Sequence, residues 1–342
     1  MKKEKLFMDP VHGYISVPVD YCEQFVDTFI FQRLRYIAQT STICHVFPSA
    51  RHDRFIHSLG VFHLGRKLYQ ALLDNTKDDD EISTILKDDK LKNSFLVACL
   101  MHDCGHSPFS HIFEKYYNEN PCNKTEKQKH KKGHADFNKC FDNKIPLENG
   151  LSQFPSDHEI MSAAVLKTHF SDKKIEGDWD CELSARMILG RRYPEVTSTE
   201  DSIKIKNVLI DLLNGYPCDV DKLDYIIRDS WTSGVKSGAI DISRLLYSAT
   251  LVRNKKDIQF AYKKSAISVI HAVIDARNYI YKWVTRHHTA VYYSIILDEA
   301  LKELWGKLGN VLEKMFSLEA FKCPVSVQKK IKNLSVNNHD LV

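Results

Sequence analysis

Several familiar signatures are missing from this chain of 342 residues. Its nine cysteines, at 22, 44, 99, 104, 122, 140, 181, 218 and 323, never pair as Cys-x-x-Cys, which excludes a zinc ribbon and a thioredoxin-type redox motif. Scattered singly, they read as small buried or half-buried thiols of a reducing compartment, Cys99 and Cys104 included. The basic N-terminus, Met1 to Lys5, is followed by no apolar stretch of the signal-peptide kind. The longest apolar run, Phe95 to Met101, is far too short to span a bilayer. A cytoplasmic protein with no membrane partner is expected. No repeat with a period of about 20 to 50 residues is found, so a solenoid or propeller is excluded. A charge excess is lacking too: 48 Lys and Arg against 44 Asp and Glu leave +4. That argues against nucleic acid as a partner yet would not repel a polyphosphate.

What is present is ordinary globular composition, 43% hydrophobic and 27% charged, with enough length to bury a large core. Helical periodicity dominates. Phe55, Leu59, Phe62, Leu64, Leu68 and Leu72 recur at helical steps. Phe29 to Ile37, Ile160 to Phe170, Ile203 to Leu213, Leu223 to Ile227, Ile267 to Val284 and Tyr292 to Leu308 read the same way. Strand signals are confined to Tyr14 to Val17 and Leu251 to Tyr262, where Ile258, Phe260 and Tyr262 alternate. Lys115 to Asp157 is polar, lysine-rich and broken by Pro121, Pro146 and Pro155, and reads as a surface insertion or lid.

Three His-Asp pairs occur: His52-Asp53, His102-Asp103 and His339-Asp340. The middle one stands apart. It follows the apolar helix ending at Met101 and precedes Gly105 and Pro108, which terminate helices. Neighbouring side chains on a regular helix diverge by about 100°, so His102 and Asp103 can grip one metal only where the backbone turns. His106 and His111 follow closely, and so many imidazoles against a core need partners, such as a metal or an anion. In the run Asp219 to Asp229, Asp221, Tyr225 and Arg228 share one helical face. That face suits a metal, a sugar and a phosphate, and equally an exposed face with ordinary ion pairs.

The segments Asp9-Pro10-Val11-His12-Gly13, Phe31 to Tyr36, Val46-Phe47-Pro48, Arg54 to Gly60, His102 to His111, Asp157-His158-Glu159 and Asp219 to Asp229 occur in that order. From about Lys5 to Thr289 the chain thereby resembles the HD-domain deoxynucleoside triphosphate triphosphohydrolases, mammalian and bacterial. The resemblance implies an all-α phosphohydrolase domain over residues 1–305, with minor β-hairpins and a C-terminal helical segment and tail over 306–342. It implies a divalent metal ion (Fe, Mn, Mg or Zn) on His57, His102, Asp103 and Asp221. His106, His111, Glu114 and His158 match the family's catalytic group, with His111 the general acid and Glu114 orienting it. Arg54, Lys222 and Arg277 match triphosphate contacts, Tyr225 the ring under the sugar, and Gln39 a residue near the 3′-hydroxyl. Tyr281 stands in the substrate pocket.

The implied reaction is hydrolysis of a deoxynucleoside triphosphate to deoxynucleoside and tripolyphosphate. The alternatives are an HD phosphohydrolase acting on another nucleotide, or a nucleotide sensor. Lys5, Asp27, Gln32 and Arg35 match an activating nucleotide site, which implies regulation and a homo-oligomer, dimer or tetramer. Arg33 and Arg35 read equally as partners of acidic neighbours at a subunit interface. The chain departs from the mammalian member at several places. Glu114 replaces an aspartate, Met8 an asparagine, Thr40 an aliphatic residue, Thr285 a tyrosine and Tyr281 a histidine. The two threonines point to a looser sugar pocket. His287-His288 reads as a phosphate or regulatory contact, or as solvated helix histidines.

Overall fold

The computed structural model of the protein describes residues 3–117, 155–194, 200–215, 218–235, 240–255 and 257–322. Among these the chain is helical apart from two small antiparallel hairpins. The all-α expectation with minor β elements holds. Most of the lysine-rich segment and the His339-Asp340 pair lie outside the described residues.

The first hairpin pairs β1 (Glu4–Asp9) with β2 (Gly13–Pro18), closing at Gly13, whose φ of +73° suits glycine. In β2, Ile15 and Val17 are buried, the alternation that the sequence displays. In β1 the apolar Leu6 and Met8 face outward, so the strand carries no inward pattern to read. The second hairpin splits the expected Leu251–Tyr262 stretch into β3 (Ala249–Asn254) and β4 (Asp257–Tyr262).

The helices are α1 (Phe29–Gln32), α2 (Arg54–Asn75), α3 (Asp80–Leu86), α4 (Asp89–Met101), α5 (Asp157–Phe170) and α6 (Cys181–Leu189). They continue with α7 (Asp201–Leu213), α8 (Val220–Ser233), α9 (Ile242–Tyr247), α10 (Ile267–Ile280) and α11 (His288–Met315). Polar side chains set several starts: Asp53, Asp88, Asp180 and Asp219 each accept a backbone N–H at an N-cap, and Ser156 with Glu159 forms a capping box. Phe29 to Ile37 is α-helical for one turn only and then tightens to a 3-10 turn, Arg33–Tyr36. Beyond Ile280 the expected helix widens into a π turn, Tyr281–Thr285. Helices α3 and α6 are too short to display a clear period.

Helix α2 is central, packed against α4, α8 and β3. Phe25, Phe31, Leu59, Phe62, Phe95 and Phe170 are fully buried in the main core. A satellite cluster joins Phe113, Tyr116 and Tyr117 to Trp305 and Phe316, which ties α11 to the segment after the central His-Asp pair. Among the described residues no helix is long and apolar enough to cross a membrane.

Candidate active site

Three helix ends meet at the first group. Helix α4 stops at Met101; His102 retains helical dihedrals (φ −56°, ψ −33°), and the chain then turns through Asp103 and Gly105. Gly105 is pressed on α5: a Cβ there would lie 2.3 Å from the Ser162 amide nitrogen, and its N–H donates to Ser162 Oγ at 2.9 Å. His57 comes from the first turn of α2, and Asp221 from the first turn of α8, which Asp219 caps.

The donor atoms converge. His57 Nε2 and His102 Nε2 lie 3.3 Å apart, and Asp221 Oδ1 is 3.0 Å from the first and 3.6 Å from the second. Asp103 Oδ2 stands 3.7 and 3.6 Å from the same nitrogens. Bonds of about 2.1 Å to one ion place neighbouring donors about 3.0–3.5 Å apart, so His57, His102 and Asp221 come close to fitting a divalent cation, while Asp103, whose Oδ2 is held by Arg54, stands slightly farther off. Tautomers agree. His57 Nδ1 donates to Asp224 Oδ2 at 2.8 Å and His102 Nδ1 to the Cys99 carbonyl at 3.0 Å, which leaves both Nε2 lone pairs aimed inward. Burial alone would lower the His57 pKa, but the Asp221 and Asp224 carboxylates outweigh it and raise the ring to about 10. A cation in this group therefore displaces a proton.

Behind His57 runs a largely buried relay. Asp224 Oδ1 accepts from His12 Nε2 at 2.6 Å, and both its oxygens accept from Arg228. Arg228 Nη1 reaches Asp9 Oδ2 at 2.7 Å. Of the two readings open for Arg228, a phosphate contact and ordinary ion pairs, the structure shows ion pairs, buried rather than exposed. Arg228 shares a face with Asp221, yet seven residues farther along α8, about 10 Å, that face lies under the first hairpin. Gly60 makes room for the relay, since a Cβ there would fall 2.0 Å from Asp224 Oδ1. Asp9, His12 and Asp224 stand within the quoted motifs, but nothing in their spacing singled out this role.

The second group is His106, His111, Glu114 and His158, whose ligand atoms all lie within 4.8 Å of one another. Phe109 and Ser110 both adopt left-handed backbone (φ 59° and 56°), a conformation costly outside glycine and common at functional sites; His111 follows directly. Glu114 Oε2 accepts from His158 Nδ1 at 2.5 Å and from His111 Nδ1 at 3.2 Å. Burial would raise the Glu114 pKa, but these two imidazoles hold it well below the usual carboxylate range. Burial would lower that of His158, but Glu114 raises it. His106 stacks on His158 at 4.3 Å, is buried, and among the described residues has no partner on either ring nitrogen. Burial first, then the charges of Arg54, His158, His111 and Arg33, push its pKa far down.

Arg54 bridges the groups. Its Nη1 donates to Asp103 Oδ2, its Nε to Ser110 Oγ at 2.8 Å, and its Nη2 lies 3.4 Å from His111 Nε2. Burial and the Arg54 charge act in opposite directions on Asp103, and the charges of Arg54, His102 and His57 prevail, holding its carboxyl low. Lys222 pairs with Asp219. Arg277 lies over the Tyr281 ring at 4.7 Å and also meets Tyr225, so these three sequence candidates are neighbours. Gln39 has a buried Oε1 without a partner among the described residues. Thr40 is buried and its hydroxyl donates to the Ala50 carbonyl at 3.2 Å, while Thr285 is exposed. His52 Nε2 lies 2.9 Å from Asp229 Oδ1, apart from both groups. His287 caps α11, accepting from Thr289 N, and stacks on His288. Of the four regulatory candidates, Lys5 pairs with Asp27 at 2.6 Å and Arg35 donates to Gln32 at 2.8 Å.

The class of protein follows from comparison as well as geometry. The profile of the HD domain family matches residues 54–224, half of the chain, and the chain belongs to that family. It is similar to a deoxynucleoside triphosphate triphosphohydrolase SAMHD1 homolog of Dictyostelium discoideum, 29% identical over 91% of this chain and 52% of the relative. Similarity extends to the Xenopus laevis SAMHD1, 29% identical over 92% of this chain and 44% of the relative, and to the uncharacterized Bacillus subtilis protein YwfO, 27% identical over 88% and 56%. The chain thus spans about half the length of these curated relatives. Among solved structures, a hypothetical protein from Aquifex aeolicus superposes with a TM-score of 0.62 at 25% identity, covering 93% of this chain and 70% of its own.

Proposed function

We propose that the protein is a metal-dependent phosphohydrolase that splits deoxynucleoside triphosphates into deoxynucleoside and tripolyphosphate. One observation carries the metal dependence: the inward Nε2 atoms of His57 and His102 converge with Asp221 at 3.0–3.6 Å. His57, His102, Asp103 and Asp221 would hold the divalent ion, which when bound supplies Lewis acidity toward a phosphoryl oxygen and its attacking water. The substrate class is supported by the SAMHD1 relatives and by the cationic residues Arg54, Lys222 and Arg277, which would engage the triphosphate.

The second group handles the proton. His111 is the exposed ring of the four and would protonate the departing 5′-oxygen, with Glu114 fixing its Nδ1. Glu114 holds His158 more closely still, so a proton is retained between them. His106, kept neutral and unpartnered, offers its nitrogens to water or phosphate. Tyr225 and Tyr281 would flank the sugar, with Gln39 nearby. Lys5, Asp27, Gln32 and Arg35 would take an activating nucleotide in a homo-oligomeric enzyme.

The test is a screen of deoxy- and ribonucleoside triphosphates with manganese, iron, magnesium or zinc, with product analysis. Tripolyphosphate release from a deoxy substrate is expected. Orthophosphate or pyrophosphate would move the assignment to another nucleotide hydrolase, and absence of any turnover by metal-loaded protein would leave a nucleotide sensor.

A further inference from the structure

We infer that Arg33 is a positioning residue that fixes the loop carrying Asp103 and His106 by holding its backbone carbonyls, under a cover supplied by Phe321; the inference rests on the proposed function.

Arg33 Nη2 donates to the Cys104 carbonyl at 3.0 Å and to the His106 carbonyl at 2.7 Å. The carbonyl between them, that of Gly105, accepts from Tyr117 Oη at 2.8 Å. Three successive carbonyls are thus taken by side chains from two other segments. The amides of the same stretch are also engaged: Cys104 N with the Met101 carbonyl, Gly105 N with Ser162 Oγ, and His106 N with the Asp103 carbonyl. A loop so tied has little freedom, and it carries a candidate metal residue at one end and an unpartnered candidate catalytic imidazole at the other.

Arg33 does this without the partner that a shielded guanidinium usually has. Among the described residues no carboxylate meets it, and its Nε is buried with no acceptor. Shielding a cation even in part without a counter-charge is costly, and the return visible among the described residues is the grip on the loop. The turn Leu318–Phe321 completes the arrangement: the Phe321 ring, itself buried, lies 4.7 Å from the Arg33 guanidinium carbon. Ring and cation attract, and the ring keeps water from competing for the donors.

The geometry sets the test. Arg33→Met keeps an unbranched apolar stem and removes the donors. In the full manganese-loaded chain, kcat should fall about 10- to 100-fold, the usual effect of losing an orienting partner, with KM within about twofold. Arg33→Lys, which restores one donor, should recover part of the loss. In the metal-free chain, hydrogen exchange at the amides of Cys104 to His106 should speed up about tenfold in Arg33→Met. Tyr117→Phe removes one hydroxyl and keeps the ring, so it should shift kcat and exchange in the same direction by less, and it serves where Arg33→Met does not fold. Parent-like kcat and parent-like exchange in these variants overturn the inference. So does a raised KM at unchanged kcat, which would make Arg33 a substrate contact. The exchange measurement needs neither metal nor nucleotide, so it decides the inference even if the parent turns over nothing, a result that would sink the proposed function alone.

Discussion

At the scale of residues, the pair His57–Asp224 controls how the candidate metal group is prepared. Asp224 fixes the His57 tautomer and is itself held by His12 and Arg228. Asp224→Asn should lower manganese affinity about 10- to 100-fold, whereas His52→Ala, in the neighbouring His-Asp pair, should leave metal content intact. Equal metal loss in both variants by elemental analysis would refute the relay. A second outcome follows from the same bond. The metal-free His57 pKa is about 10, above its ordinary 6.5, so its charge contributes stability that is complete below about pH 6.5 and is lost as pH rises through about 10. A bound cation replaces that proton, so manganese uptake at pH 8 should release about one proton, and the Tm gain from manganese should grow between pH 6.5 and 10. Calorimetry in buffers of different ionisation enthalpy measures the release; none at all would mean that His57 does not meet the ion. Residue reading from sequence was sharpest where a backbone event had to coincide with a side-chain pair. Gly105 and Pro108 made His102-Asp103 the pair at a helix end, and the helix indeed stops at Met101. It was blind to Asp224 and His12, because their partners are 167 and 212 residues away and no local spacing encodes that.

At the scale of elements, the site depends on how closely α2 and α8 approach. Gly60 is the point of contact: an added Cβ would sit 2.0 Å from Asp224 Oδ1 and 2.5 Å from Arg228 Nη2. Neither group can swing away without breaking a buried ion pair. Gly60→Ala should therefore destabilise the fold by about 1–3 kcal/mol, as overpacking does, and weaken metal binding together with stability. Urea denaturation and a chelator competition report the two effects; an unperturbed Gly60→Ala protein would show that the helices separate freely. Helices α2 and α5 were legible because their apolar residues repeat over several turns, whereas of α8 only Leu223 to Ile227 displayed the period. Strand β1 was not, since Leu6 and Met8 point outward, and the widening to a π turn after Ile280 has no signal in the residue order.

At the scale of the whole molecule, α11 and the turn before it expose several large apolar side chains. On α11, Tyr292 is 60% exposed, Ile295 57% and Val311 56%, and Trp283 on the preceding turn is 51% exposed. Tyr292 and Ile295, one turn apart, form an apolar patch of the kind that marks an interaction site, and self-association by a two-fold contact is the commonest way to cover one. The net charge of +4 opposes association of copies only weakly. Sedimentation at micromolar concentration should show a dimer or tetramer. Ile295→Lys, which places a charge in the patch without touching either candidate group, should shift the protein toward monomer. The proposed regulatory residues give this a second reading. Lys5 and Asp27 form an ion pair and Arg35 donates to the Gln32 amide oxygen, so a nucleoside triphosphate binding there would have to break local pairs. Exposed pairs of this kind are worth about 0–1 kcal/mol, a small barrier beside the charge of a triphosphate. Added nucleotide should then increase both the oligomer fraction and the rate, and Lys5→Ala should reduce the increase while leaving the metal in place. A protein that sediments as a monomer with and without nucleotide, and whose rate is linear in dilute substrate, would remove both the self-association and the activation.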